Sequence, residues 1–230
     1  MHPLISGSGL PIAVLASGAG STLQAVAQAC AAGELSARIV LVICNNRDAG
    51  ALRIAQNLRL AHRHLSSQTH PDLQPPALNN PGDALDQAML SALQQSGAQW
   101  VLLAGYMKKV GPRVLAAFKG RIINTHPALL PLFGGHGMYG LRVHEAVLAA
   151  GATVTGPTIH HVTAGYDEGG ILAQAQVPVL AGDTAHSLAA RVQAAEKTLL
   201  VQTLQQLVSQ AQTTLAAPTV KPVPAPAATS

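Results

Sequence analysis

The chain has 230 residues, 48% of them apolar, enough to bury a sizeable core in one large α/β domain or two small ones. Charged residues are only 10%, the net charge of +4 comes from scattered groups, and aromatics are 3%; this argues against a nucleic-acid surface built on stacking and phosphate contacts, and points weakly to anionic ligands. Two cysteines, Cys30 and Cys44, make no disulfide framework and no zinc knuckle, no run of about 18 apolar residues occurs, and "MHPLISGSGLP" has no basic segment before an apolar one, so the expectation is a soluble cytoplasmic protein with free thiols.

Residues 1–10 are expected to be a flexible lead. "PIAVLASG" (11–18) is an apolar run ended by glycine, a buried strand by its length. "STLQAVAQACAAG" (21–33) places Ser21 at a capping position, spaces its apolar residues helically and stops at Gly33. A strand is expected at 38–44, a helix at 48–58, a short strand at 61–66 and a Pro/Asn-rich loop near 70–82. A helix follows at 83–97, a strand at 99–105, a short helix at 111–118 and a strand at 121–126. This alternation argues for a parallel sheet with helices on both faces. The rhythm breaks after His126: a loop with four glycines (127–140), a helix (141–151), and two extended segments (153–163 and 171–180) that could pair. A long amphipathic helix, opened by Asp183 or Thr184, is expected to end at 211, and the Pro/Ala-rich residues 212–230 to form a disordered tail.

Three places could carry chemistry. "SGAGST" (17–22) lies between a strand and a helix, where free amides at a helix start can hold an anion. It lacks the third glycine of a dinucleotide fingerprint and the Lys-Ser/Thr of a Walker loop, so a small phosphate ester fits better. In "RIINTHPALLP" (121–131), Asn124 and His126 are two apart on a strand, share a face, and stand where open α/β sheets place ligands. An amide N–H and an imidazolium N–H aimed at one point would stabilise an oxyanion. "GYDEGG" (165–170) sets Asp167 among glycines that let it approach another backbone. His144-Glu145 opens a zincin pattern that Leu148 breaks, and of the adjacent His160 and His161 at most one can face the site.

"SGAGSTLQA", "LAGYMKKV", "INTHPALLP", "YDEGGILAQAQVPV" and "RVQAAEK" resemble, in order and spacing, the phosphoribosylglycinamide formyltransferases of the folate-dependent formyltransferase family, from about residue 11 to about 208. The resemblance implies a doubly wound, mostly parallel α/β sheet, a single formyltransferase domain over 11–211, and formyl transfer from 10-formyltetrahydrofolate to the amine of phosphoribosylglycinamide in purine biosynthesis. It places the catalytic trio on Asn124, His126 and Asp167, and substrate contacts on Gly20, Ser21, Thr22, Gln193 and Glu196. Folate contacts fall on Tyr106, Met107, Lys108, Lys109, Val110 and Asn124, and on Thr163, Ala164, Gly165, Tyr166 and Asp167. It implies no metal, nucleic acid or membrane, and a monomer or homodimer. Thr22 stands where asparagine is frequent, and Gly82 where many members carry a folate-facing arginine, so Lys108 or Lys109 is expected to meet the folate tail. The expected chemistry has Asp167 raising the His126 pKa against burial. The alternatives are transfer to methionyl-tRNA or a sugar amine, hydrolysis of the formyl-folate, and a non-catalytic nucleotide-binding module. The tRNA enzymes' further basic domain and the hydrolases' extra N-terminal domain are not expected here.

Overall fold

The structure, a computed structural model, describes residues 9–72 and 82–216. Much of the 70–82 loop, most of the N-terminal lead and residues 217–230 of the expected tail lie outside that range. The chain builds β1 (Leu10–Ala16), α1 (Ser21–Ala31), β2 (Ala37–Cys44), α2 (Gly50–Asn57), β3 (His62–His64), α3 (Asp83–Gln95), β4 (Trp100–Leu103), α4 (Pro112–Ala117) and β5 (Ile122–His126). Then follow α5 (Leu141–Ala149), β6 (Val154–Thr155), β7 (Thr158–His161), β8 (Ile171–Gln174), β9 (Val177–Pro178) and α6 (Ala185–Ala216).

Seven strands form the main sheet in the order β3-β2-β1-β4-β5-β7-β8. The first five are parallel; β7 and β8 add antiparallel to that edge. The sheet is therefore mostly parallel, as expected. Burial on both faces explains why β1 reads as a continuous apolar run. Ile12, Val14 and Ala16 face one core with Leu23 and Val26 of α1 and Leu200 and Leu204 of α6. Ala13 and Leu15 face the other, with Met89 and Leu93 of α3 and Val114 of α4. A third cluster joins Val147 of α5 and Val177 of β9 to Leu188 and Val192 of α6.

Four expectations change. Leu10 already belongs to β1, and α6 runs past the expected end at 211, to Ala216. Ser21 does not cap α1: Gly20 holds the capping position, with no side-chain hydrogen bond to the helix amides. The segments at 153–163 and 171–180 do pair, but each is broken in two. Pro157 has no N–H to continue the ladder, so the pairing is interrupted there, although the Ala175 amide still donates to the Pro157 carbonyl at 3.2 Å and the register is kept. β7 and β8 stay in the main sheet, while β6 and β9 form a separate pair. At the other open question, Thr184 caps α6 by accepting from the Ser187 amide at 3.1 Å.

Candidate active site

The strand order reverses between β1 and β4, so the loops after their carboxyl ends diverge and leave a crevice. A cavity of about 610 Å³ follows this rim. Its floor is the end of β5, and its walls come from Thr22 of α1, the loops after β4, β5 and β7, and α5 and α6.

At the β1 end the site is backbone. Gly20 takes a left-handed φ of 83°, and a Cβ there would lie 2.6 Å from Ala51 Cα; this close approach to α2 requires glycine. With no side chain capping α1, its first amides remain as anion donors. Ser17 ties this loop to the next one: its hydroxyl donates to Asn45 Oδ1 at 2.6 Å and accepts from the Met107 amide at 2.7 Å.

At the β5 end the site is side chain. His160 Nδ1 is 2.8 Å from the His161 carbonyl, which can only accept, so the proton sits on Nδ1. The bare Nε2 then accepts from Asn124 Nδ2 at 3.1 Å, which fixes which end of the amide faces it. His126 Nε2 donates to the Phe133 carbonyl at 2.8 Å, and its Nδ1 faces Asp167 Oδ2 at 3.5 Å. The other Asp167 oxygen is 3.5 Å from His160 Nε2, and the Gly135 amide donates to Oδ2 at 3.0 Å. Asp167 sits in the left-handed region at φ 57°. Gly169 lets the loop turn back over β7, because a Cβ there would overlap the His161 carbonyl.

The electrostatics correct one expectation. Burial is the largest influence on His126 and pushes its pKa down; Asp167 and the Phe133 carbonyl push it up, and the net direction is below the ordinary value. Charge pairing does not win, and the imidazole rests neutral. Burial is the largest influence on Asp167 and pushes it up, the Gly135 amide that donates to its carboxylate opposes this, and the net direction is below the ordinary value. His144, buried beside them, is pushed down by burial and then by His126. Among the described residues, no group of three or more His, Cys, Asp or Glu is arranged to hold a metal ion.

The formyl transferase family profile matches residues 10–204. The chain belongs to the formyl transferase family. A chloroplastic phosphoribosylglycinamide formyltransferase of Arabidopsis thaliana is 42% identical over 193 residues, 83% of this chain and 63% of that one. The enzyme of that name from Mycobacterium tuberculosis strain H37Rv is 40% identical over 191 residues, covering 83% and 81%. The chain spans less than two thirds of the length of the Arabidopsis relative and of a Vigna unguiculata one, of which it covers 60%. A solved glycinamide ribonucleotide transformylase from Symbiobacterium toebii matches with a TM-score of 0.79 at 37% identity, over 88% of this chain and 89% of that one.

In this member of the family all the catalytic, substrate and folate positions expected from sequence line the cavity except Gly20, Ser21 and Ala164. Gly20 and Ser21 stand at the uncapped start of α1 beside it. Sequence reasoning left His160 undecided and gave Thr125 and His144 no role. The signal for His160 is non-local: the antiparallel register pairs it with Asn124. Gly82 caps α3, and the Asp72 carboxylate accepts from the Gly82 and Ala84 amides, so that position serves the helix start. Lys108 and Lys109 line the cavity, and Lys109 Nζ lies 5.4 Å from the Tyr166 ring centre. No helix of the described residues is long and apolar enough to cross a membrane.

Proposed function

We propose that this chain transfers a formyl group from 10-formyltetrahydrofolate to the primary amine of 5'-phosphoribosylglycinamide, in the cytoplasm, as a monomer or homodimer. The observation that carries the reading is Asp167 set 3.5 Å from both His126 and His160, with Asn124 bonded to the latter, in a cavity that begins at the uncapped start of α1. The family match and the names of its relatives agree with it.

The residues divide the work. The amides at Gly20, Ser21 and Thr22 hold the phosphate, and Gln193 and Glu196 of α6 meet the rest of the acceptor. Tyr106 to Val110 and Thr163 to Asp167 receive the folate. Remote anchoring of both substrates brings amine and formyl carbon into attack geometry. Attack forms the new C–N bond and leaves a negative oxygen. Asn124 donates to that oxygen from its second N–H, the first being committed to His160. His126 works from its neutral form: Nδ1 accepts the proton that the amine sheds, and Asp167 stabilises the imidazolium once it exists. When the adduct collapses, the C–N bond to the folate breaks and that nitrogen takes the proton from Nδ1. The products are the formamide and tetrahydrofolate, and the imidazole is neutral again.

Formylation assayed with phosphoribosylglycinamide and with water alone as acceptors tests the reading. Rapid amine-dependent transfer with little hydrolysis is expected. Hydrolysis at an equal rate without the amine would make the chain a formyl-folate hydrolase instead.

A further inference from the structure

Thr22 stands in the first turn of α1, at the anion loop, and its hydroxyl is engaged elsewhere. Its hydroxyl donates to Glu196 Oε1 at 3.1 Å, joining positions 174 residues apart. Both residues are nearly sealed, at 7% and 8% exposure, yet both line the cavity. On the other side stands Thr125, between Asn124 and His126 on β5. Strand alternation sends its side chain to the face opposite its neighbours, and its hydroxyl also supports the Glu196 carboxylate. One buried carboxylate of α6 is thus held from α1, which starts at the anion loop, and from β5, which carries the reacting side chains. Burial pushes the Glu196 carboxyl above its ordinary value, and the two threonine hydroxyls oppose that shift while fixing the group's direction. A side chain spent on Glu196 is not spent on the phosphate.

We infer that Thr22 is a positioning residue for sugar recognition: its hydroxyl fixes Glu196 as an acceptor for the ribose hydroxyls of the substrate, while the phosphate is left to the α1 backbone amides. The inference rests on the phosphoribosyl reading of the cavity. It separates two roles that adjacent residues would otherwise share. Thr22 contributes its N–H to the phosphate, and its Oγ1 to the sugar through Glu196.

The test measures binding of ribose 5-phosphate, 2-deoxyribose 5-phosphate and inorganic phosphate by calorimetry, and KM and kcat for phosphoribosylglycinamide, in wild type, T22V, T22S and E196Q. Wild type should prefer ribose 5-phosphate to its deoxy counterpart. T22V, close in shape but without the donor, should raise KM about 10-fold, the scale of a lost hydrogen bond to a charged group, with kcat within about twofold. It should weaken ribose 5-phosphate by a similar factor and leave inorganic phosphate unchanged. T22S should restore wild-type values. A T22V that weakens all three probes equally would make the hydroxyl a phosphate ligand and overturn the inference, as would an unchanged KM. If T22V folds poorly, T22A takes its place beside E196Q: loss of the ribose preference in both, with T22S keeping it, supports the inference, and its retention in T22A overturns it. Intact ribose preference with no turnover of phosphoribosylglycinamide would sink the proposed reaction and leave this inference standing.

Discussion

The two ends of the cleft are made of different materials. At the start of α1 the donors are backbone amides, set by a left-handed Gly20 pressed against Ala51. At the end of β5 the working groups are side chains from three segments: Asn124 and His126, His160, and Asp167. The first end is fixed by covalent geometry over a few residues. The second is fixed by sheet register and by one loop folded back over β7. A backbone cradle suits a ligand group that does not change during reaction. Movable protons and a directed amide suit a group whose charge does change. Damage at the reacting end should therefore appear in kcat, and damage at the anion end in KM.

The largest effect is expected at Asn124. Asn124→Ala removes the oxyanion donor and should lower kcat by roughly 10²–10³-fold with KM for either substrate little changed. Steady-state kinetics with both substrates varied will show it. A rise in KM at constant kcat would erase the distinction between the two ends.

Asp167→Asn should follow, with a loss of roughly 10–100-fold in kcat and a displaced pH profile. His126 must be neutral to accept the amine's proton, so activity falls as pH drops through its pKa, which burial holds below the ordinary value. Asp167 is the foremost influence pushing that pKa up. Without its charge the pKa drops further, so the acid limb should move to lower pH. The plateau falls because the imidazolium formed in the reaction loses its partner. An acid limb that stays in place would show that Asp167 does not act through His126.

At the backbone end, Gly20→Ala tests the cradle. A left-handed conformation costs a non-glycine residue roughly 1–2 kcal/mol, and the Ala51 contact adds to it. A fall of several degrees in Tm is expected, together with a KM for the phosphate ester raised about 10-fold and kcat near wild type. If thermal scans and kinetics show neither, the loop is only a turn.

The same difference in materials explains what could be read from the chain alone. Most of the parallel half of the sheet was legible because β1, β2 and β4 are local apolar runs, and the anion loop because its donors are consecutive. Asn124 and His126 were legible together because period two on a strand is local. His160 was not: choosing between it and His161 requires the β5–β7 register, which no nearby residue encodes. Nor was the resting state of His126. Burial and Asp167 oppose each other there, and the balance depends on how completely the loops around Phe133 and Asp167 close over the ring. Ser21 was misread for a related reason. Ser at a helix start usually caps, but a capping side chain would occupy the amides that an anion needs.

The smallest effect is expected at the folate-facing rim. Gly82 caps α3 and carries no side chain, so on the proposed reading the cation for a folate carboxylate comes from elsewhere. Lys108 and Lys109 line the cavity on the loop after β4, and both are exposed. The Lys109 ammonium stands over the Tyr166 ring, and the residue remains exposed. An exposed ammonium meeting a flexible carboxylate contributes only about 0.2–1 kcal/mol. The double variant Lys108→Ala/Lys109→Ala should therefore raise the folate KM by no more than about fivefold, leave kcat unchanged, and lose its difference from wild type as salt screens the pair. A folate KM equal to wild type at low ionic strength would remove both lysines from the site. A rise that persists in high salt would instead point to lost packing around Tyr166.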